Sequence, residues 1–234
     1  MSTLFIIATP IGNLSDFGFR SLETLKNVDL ILCEDTRVTK KLLDHYKIEK
    51  PLLSYHQHSK LQKINYILEL LHSGKNLALV SDAGTPGISD PGNLLIKEAS
   101  DKLSGEINII PIPGPSAVVT AASISGFPMD RFSFLGFPPQ KRKRQKFFKE
   151  VIESKYPVIF YESPYRIIKT LNELRIMNQE LRIVVARELT KKFETIYRGN
   201  IEEVLQKIEN DKILGEFVVV VQNKKAQNAP DVSE

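Results

Sequence analysis

Cysteine is almost absent from this 234-residue chain, where Cys33 stands alone. A single thiol excludes an intrachain disulfide framework and any cysteine cluster for zinc, and it fits a reducing, cytoplasmic setting. Glycine and proline number only 12 and 13, too few for a fibrous or low-complexity chain. No apolar run approaches the roughly 20 residues that span a bilayer. The opening MSTLFIIATPIGNLSD has no basic stretch before its apolar residues, so it reads as a buried strand and not as a secretory leader. A soluble, cytoplasmic protein with no membrane contact is expected. Neither GxGxxG nor GxxxxGKS/T occurs, which removes the usual phosphate-binding loops. A large excess of one charge is missing too: 32 Lys+Arg against 28 Asp+Glu leave +4, so only local clustering of charge is informative.

What remains is the composition of a globular protein, 42% hydrophobic and 26% charged. Short β-rich runs at 4–8, 30–33, 52–55, 77–80 and 107–112 alternate with amphipathic segments. Ile64, Ile67, Leu68 and Leu71 show the i, i+3, i+4, i+7 spacing of a helix. Residues 116–125, SAVVTAASIS, are small and apolar, as in a helix packed closely on its neighbours. Beyond Gly126 the texture changes, and Pro138-Pro139 followed by QKRKRQKFFK suggests a domain boundary. Further strands are expected at 158–161, 183–186, 194–197 and 217–221, with helices near 165–177 and 201–208. The expected fold is α/β: two domains, 1–137 and 138–223, with mostly parallel sheets, then a polar tail at 224–234.

The most unusual segment is SDAGTPGISDPG, residues 81–92, directly after the run 77–80. Ligands of open α/β sheets bind beyond the carboxyl ends of strands. Here glycines permit close backbone approach, and Asp82 and Asp90 offer acceptors. A plain connecting loop with turn residues is the alternative, but twelve residues are long for one. Thr9-Pro10-Ile11-Gly12-Asn13 and Pro111-Ile112-Pro113-Gly114-Pro115-Ser116-Ala117 close two other strands in the same manner. Their prolines remove N–H donors and stiffen the backbone, which suits a shaped pocket better than a phosphate cradle. Glu34-Asp35-Thr36-Arg37 offers either acid/base groups or a helix cap. Tyr161-Glu162-Ser163-Pro164 and Arg187-Glu188-Leu189-Thr190-Lys191-Lys192 raise the same choice. Lys141, Arg142, Lys143, Arg144, Lys146 and Lys149 place six cations in nine residues beside Phe147 and Phe148. That run is either a solvated helix face or a nucleic-acid contact, and RNA is the favoured reading. Of four histidines, His56 and His58 form the one conceivable metal pair, but no third ligand converges, so no metal is expected.

TPIGNLSD, EDTR, SDAGTPGISDPG, PGPSA, FLGFPP, FYESPYR, ARELTK and GEFVVVV follow one another in this order. With these eight motifs the chain resembles the ribosomal RNA small subunit methyltransferase I family of the tetrapyrrole-methylase superfamily over nearly its whole length. The resemblance implies S-adenosylmethionine-dependent 2′-O-methylation of a cytidine ribose in small-subunit (16S) rRNA near the decoding site. It also implies a homodimer of two α/β domains acting on rRNA or the 30S subunit, with the donor held in the interdomain cleft. Carried over by motif, the donor would contact Pro10, Gly12, Asp82, Ala83, Gly84, Ile88, Ser116 and Ala117. From the second domain it would meet Tyr161, Leu189, Gly215 and Glu216. Glu34, Asp35, Arg37, Glu188 and Lys191 are the unranked candidates for a base and a charge-stabilising cation. Many members carry a further small helical C-terminal domain that the matched motifs here do not reach, which moves RNA contact toward Lys141, Arg142, Lys143, Arg144 and Lys146. Two rivals remain: methylation of a tetrapyrrole or corrin precursor, and a non-catalytic RNA-binding module.

Overall fold

In a computed structural model describing residues 1–56 and 61–223, the chain divides by its contacts into two units, Met1–Ser116 and Ala117 onward. The first unit alternates strand and helix: β1 Ser2–Ile7, α1 Phe19–Asn27, β2 Leu30–Cys33, α2 Thr36–His45, β3 Leu52–Ser54, α3 Leu61–His72, β4 Leu77–Val80, α4 Asn93–Lys102 and β5 Ile107–Ile112. Its five strands are all parallel in the order β3-β2-β4-β1-β5. Alternate residues of a strand point to opposite faces. Accordingly Leu4 and Ile6 of β1 join a core with Ile64, Ile67 and Leu71 of α3 and Leu95 of α4. Phe5 and Ile7 join a second core with Leu25 of α1 and Leu43 of α2. Each such side chain contributes roughly 1.5–3 kcal/mol of burial, and helices on both faces explain why these strands read as apolar runs.

The second unit holds α5 Ala117–Ser125, β6 Ser133–Phe134, α6 Arg144–Glu153, β7 Val158–Glu162, α7 Ile167–Met177, β8 Arg182–Arg187, β9 Thr195–Asn200, α8 Ile201–Glu209 and β10 Phe217–Gln222. Its sheet runs β6-β7-β10-β8-β9. Only β6–β7 is parallel; β7–β10, β10–β8 and β8–β9 are antiparallel. The expectation of a mostly parallel sheet thus holds for the first unit and is corrected for the second. Phe148, Phe160, Leu171, Ile201 and Val219 share its core. Asn200 caps α8 by accepting from the Glu203 N–H, while the Glu203 side chain reaches back to the Asn200 N–H.

The division between units falls after Ser116, not at Pro138. The small residues of α5 let it pack against β10 and β7 of the second sheet. Pro138 and Pro139 lie inside that unit, where their carbonyls accept from Arg166 and Arg144. Among the described residues no helix is long and apolar enough to cross a membrane. His58 and the tail expected at 224–234 lie outside the described residues.

Candidate functional site

Because every strand of the first sheet is parallel, the loops after β1, β2, β4 and β5 emerge along one edge, and β1 is flanked there by β4 and β5. Hydrogen bonds join these loops into one surface. Thr9 and Gly84 exchange a pair of backbone bonds of 2.9 and 3.1 Å. The Thr9 hydroxyl donates to the Ser81 carbonyl at 3.0 Å, and the Ser81 hydroxyl donates to the Gly84 carbonyl at 3.0 Å. Thr85 Oγ1 donates to the Pro115 carbonyl at 3.4 Å, tying in the loop after β5. On the other side the Asp82 carboxylate accepts from the Asp35 N–H at 3.0 Å, tying in the loop after β2. Gly84 has φ +84°, and a Cβ there would lie 3.5 Å from Ile11. Only a residue at ease with positive φ lets the two backbones meet this closely. Thus Pro10, Gly12, Asp82, Ala83, Gly84, Ile88 and Ser116 share one edge, whereas Ala117 opens α5 of the second unit.

The edge is rich in carboxylates whose states differ. Asp35 caps α2 by accepting from the Arg37 N–H, and the Arg37 guanidinium forks onto it at 2.6–3.2 Å. The Arg37 side chain and then its amide hold Asp35 down at about 2. Glu34 is pushed up by burial and then by the Asp82 charge. Asp90, at the far end of the long loop, is pushed up to about 6 by burial and by the Glu34 charge, against the pull of the Ser81 hydroxyl. A carboxylate at this value exchanges protons near neutrality. The sequence offered Asp90 only as a hydrogen-bond acceptor and not among the candidates for a base; its place in the same loop as Asp82 was the available signal. Partly desolvated carboxylates with stiff Pro/Gly turns fit a cationic, phosphate-free donor such as a sulfonium.

In the second unit β8 and β10 are antiparallel, so the end of β8 lies beside the start of β10. Glu188 N–H donates to the Glu216 carbonyl at 2.9 Å, and Glu216 N–H donates to Glu188 Oε1 at 3.0 Å. Lys191 Nζ donates to both carboxylates at 2.8 Å. Burial works to raise Glu188, but Lys191 and the Glu216 amide outweigh it and hold the acid low. Burial likewise works to lower Lys191, and the two carboxylates hold it high. Gly215 has φ +90°, and a Cβ there would fall 2.4 Å from Glu188 Cγ. Glu188 at φ +52° and Thr190 at φ +66° add backbone strain to this turn, with Leu189 buried between them. Tyr161, at the end of β7, sits against Phe134 and Phe137 with ring centroids 5.0 and 5.3 Å away.

The basic run does not act as one unit. Arg144 is buried and donates to Glu173 at 2.7 Å, Thr170 Oγ1 at 2.7 Å and the Pro139 carbonyl at 3.1 Å. It also lies 4.0 Å from the fully buried Glu162 carboxylate and covers the Phe148 ring. Arg144 is therefore a packing and ion-pair residue, which corrects its expected RNA contact. Lys141, Arg142, Lys143 and Lys146 are exposed.

The family described as Tetrapyrrole (Corrin/Porphyrin) Methylases matches residues 3–205. Proteins named "Ribosomal RNA small subunit methyltransferase I" are similar over nearly the whole chain. That of Mycoplasmopsis pulmonis is 47% identical, covering 97% of this chain and 100% of the relative. That of Bacillus subtilis is 44% identical, covering 99% and 78%. Among solved structures, a diphthine synthase shares the fold with TM-score 0.71 at 15% identity, covering 96% of this chain and 90% of that one. The methyltransferase CobJ does so with TM-score 0.68 at 19% identity, covering 96% and 95%.

Proposed function

From the premise that the chain belongs to the Tetrapyrrole (Corrin/Porphyrin) Methylases, and within them to the ribosomal RNA small subunit methyltransferases I, we propose that it methylates the 2′-hydroxyl of a cytidine ribose in small-subunit (16S) rRNA near the decoding site. The methyl donor is S-adenosylmethionine, which supplies a methyl carbon made electrophilic by its sulfonium. The chain's own part is alignment, charge and the handling of one proton. The observation that carries the reading is the bonded edge formed by the loops after β1, β4 and β5, with Glu34, Asp82 and Asp90 grouped on it.

Pro10, Gly12, Asp82, Ala83, Gly84, Ile88 and Ser116 hold the donor by backbone contacts and carboxylate charge. Asp90 accepts the ribose proton at a carboxylate oxygen, and Glu34 keeps that oxygen basic. Asp35 is too acidic for this task while Arg37 grips it. Glu188 and Lys191 are bound to each other and remain ionised at neutral pH, so they set charge and do not exchange protons. A homodimer is part of the same proposal and is read by light scattering. The test incubates the purified chain with labelled S-adenosylmethionine and 30S subunits lacking the modification, then maps the label. Label on a cytidine 2′-oxygen supports the reading. Label on a base, or label entering a tetrapyrrole precursor but not rRNA, overturns it.

A further inference from the structure

The sequence run beginning at Lys141 takes on a definite shape once α6 packs beside α7. An open groove of about 710 Å³ lies between them, wholly within the second unit. Lys141, Lys143, Lys146 and, from α7, Lys169 line it, with Ile176 and Met177 at one end. Ile176 is 79% exposed. Phe148 and Arg144 form the floor.

Charge is unevenly satisfied here. The carboxylate lining the groove, Glu173, is neutralised by Arg144 at 2.7 Å, with Lys169 at 3.9 Å. Among the described residues, Lys141, Lys143 and Lys146 have no carboxylate within ion-pair distance, whereas Lys149, one turn on, has Glu153 at 3.7 Å. Other exposed lysines among the described residues also lack such partners; what sets these three apart is that they line one groove together. Arg144 makes the arrangement rigid by joining α6 to Thr170 and Glu173 of α7 beneath the cations.

We propose that this α6–α7 groove binds the phosphodiester backbone of a single RNA strand, with Lys141, Lys143 and Lys146 on phosphates and Ile176 and Met177 against an unstacked base or ribose. The proposal rests on rRNA being the substrate. Unpaired, closely spaced point charges suit phosphates, and the adjacent apolar wall suits a single strand better than a duplex, whose bases are stacked inside.

The test measures binding of the full chain to a single-stranded segment of small-subunit rRNA, by fluorescence anisotropy across salt and without donor. Two charge-matched triple variants are compared. One is Lys141→Gln/Lys143→Gln/Lys146→Gln in the groove. The other is Lys26→Gln/Lys40→Gln/Lys102→Gln, three exposed lysines that pair with Glu23, Asp44 and Glu98. Three lost phosphate contacts lower the log–log salt slope by about 2 and weaken binding about 50-fold at 0.15 M salt. The matched triple changes affinity less than about threefold, since its charges are already paired with carboxylates. Equal losses in the two triples, or an intact salt slope in the groove triple, overturn the proposal. Stronger capture of polyglutamate than of RNA by the same lysines overturns it too, in favour of an acidic protein segment. The two readings fail separately. A parent chain that binds RNA through the groove but places no methyl on rRNA sinks only the reaction. One that methylates while the groove triple binds normally sinks only the groove.

Discussion

Replacing Asp90 by Asn tests both the electrostatics of the sheet edge and the role given to that carboxylate. Burial and the Glu34 charge lift Asp90 from 3.8 to about 6. At ~1.36 kcal/mol per unit, the ionised form carries a penalty of at most about 3 kcal/mol in the folded state. Asp90 is partly exposed, and water screening reduces this to roughly 1–2 kcal/mol. The sign follows from linkage: a raised acid binds its proton more tightly folded than unfolded, so stability falls as pH rises from about 4 to about 6 and stays low above that. Asn has no charge to desolvate. Asp90→Asn therefore stabilises the protein by about 1–2 kcal/mol at pH 7.5, and by about half to two thirds of that at pH 4.5. Urea unfolding of parent and variant at the two pH values measures the difference. The same substitution removes the proton acceptor, so methyl transfer falls by a factor of about 10²–10⁴, and the parent's rate rises with pH through about 6. A gain in stability that is equal at both pH values, or a loss at pH 7.5, refutes the electrostatic reasoning. A gain in stability with unchanged single-turnover methylation refutes the catalytic part alone.

Arg144→Ala removes the farther of two guanidiniums at the fully buried Glu162, which keeps Arg166 at 2.9 Å, and unpins α6 from α7 by deleting the bonds to Thr170 and Glu173. A loss of about 2–3 kcal/mol in the second unit, from the charge-assisted hydrogen bonds removed, is expected by chemical denaturation. Arg144→Lys recovers little of it, since an ammonium cannot reach Glu173, Thr170 and the Pro139 carbonyl together. Gly215→Ala places a methyl group on Glu188 at positive φ and costs about 1–3 kcal/mol. Because it separates Glu188 from Lys191, NMR titration should find the Glu188 carboxyl less acidic than in the parent; an unmoved titration contradicts the pairing.

The strands of the first unit were legible because helices on both faces turn them into unbroken apolar runs, and 30–33, 77–80 and 107–112 coincide with β2, β4 and β5. The same logic misled in the second unit. All six residues of β10 are buried, Phe217–Gln222, which resembles a parallel strand. Their burial comes from a central position between β7 and β8, and strand direction leaves no mark on composition. The domain boundary was misplaced for a related reason. Pro138-Pro139 looks like a break, but helix α5, twenty residues earlier, is what changes sheets.

The site divides along the same physical line. Backbone requirements are written locally: Gly84 must adopt positive φ, and the long loop that contains it announces itself by its glycines and prolines. Charge states are not local. Asp35 and Asp90 are the same residue type on one edge, yet one is held at about 2 by a guanidinium two residues away and the other reaches about 6 through burial and a carboxylate over fifty positions earlier. Arg144 and Lys143 are neighbours in one basic run, but the guanidinium turns inward to acids on α7 and β7 while the ammonium stays in solvent. Side chains proposed to exchange protons or to meet RNA are therefore separated from those that hold the fold by which partner reaches them first. That is why the loops could be read from the sequence before the roles of the residues in them.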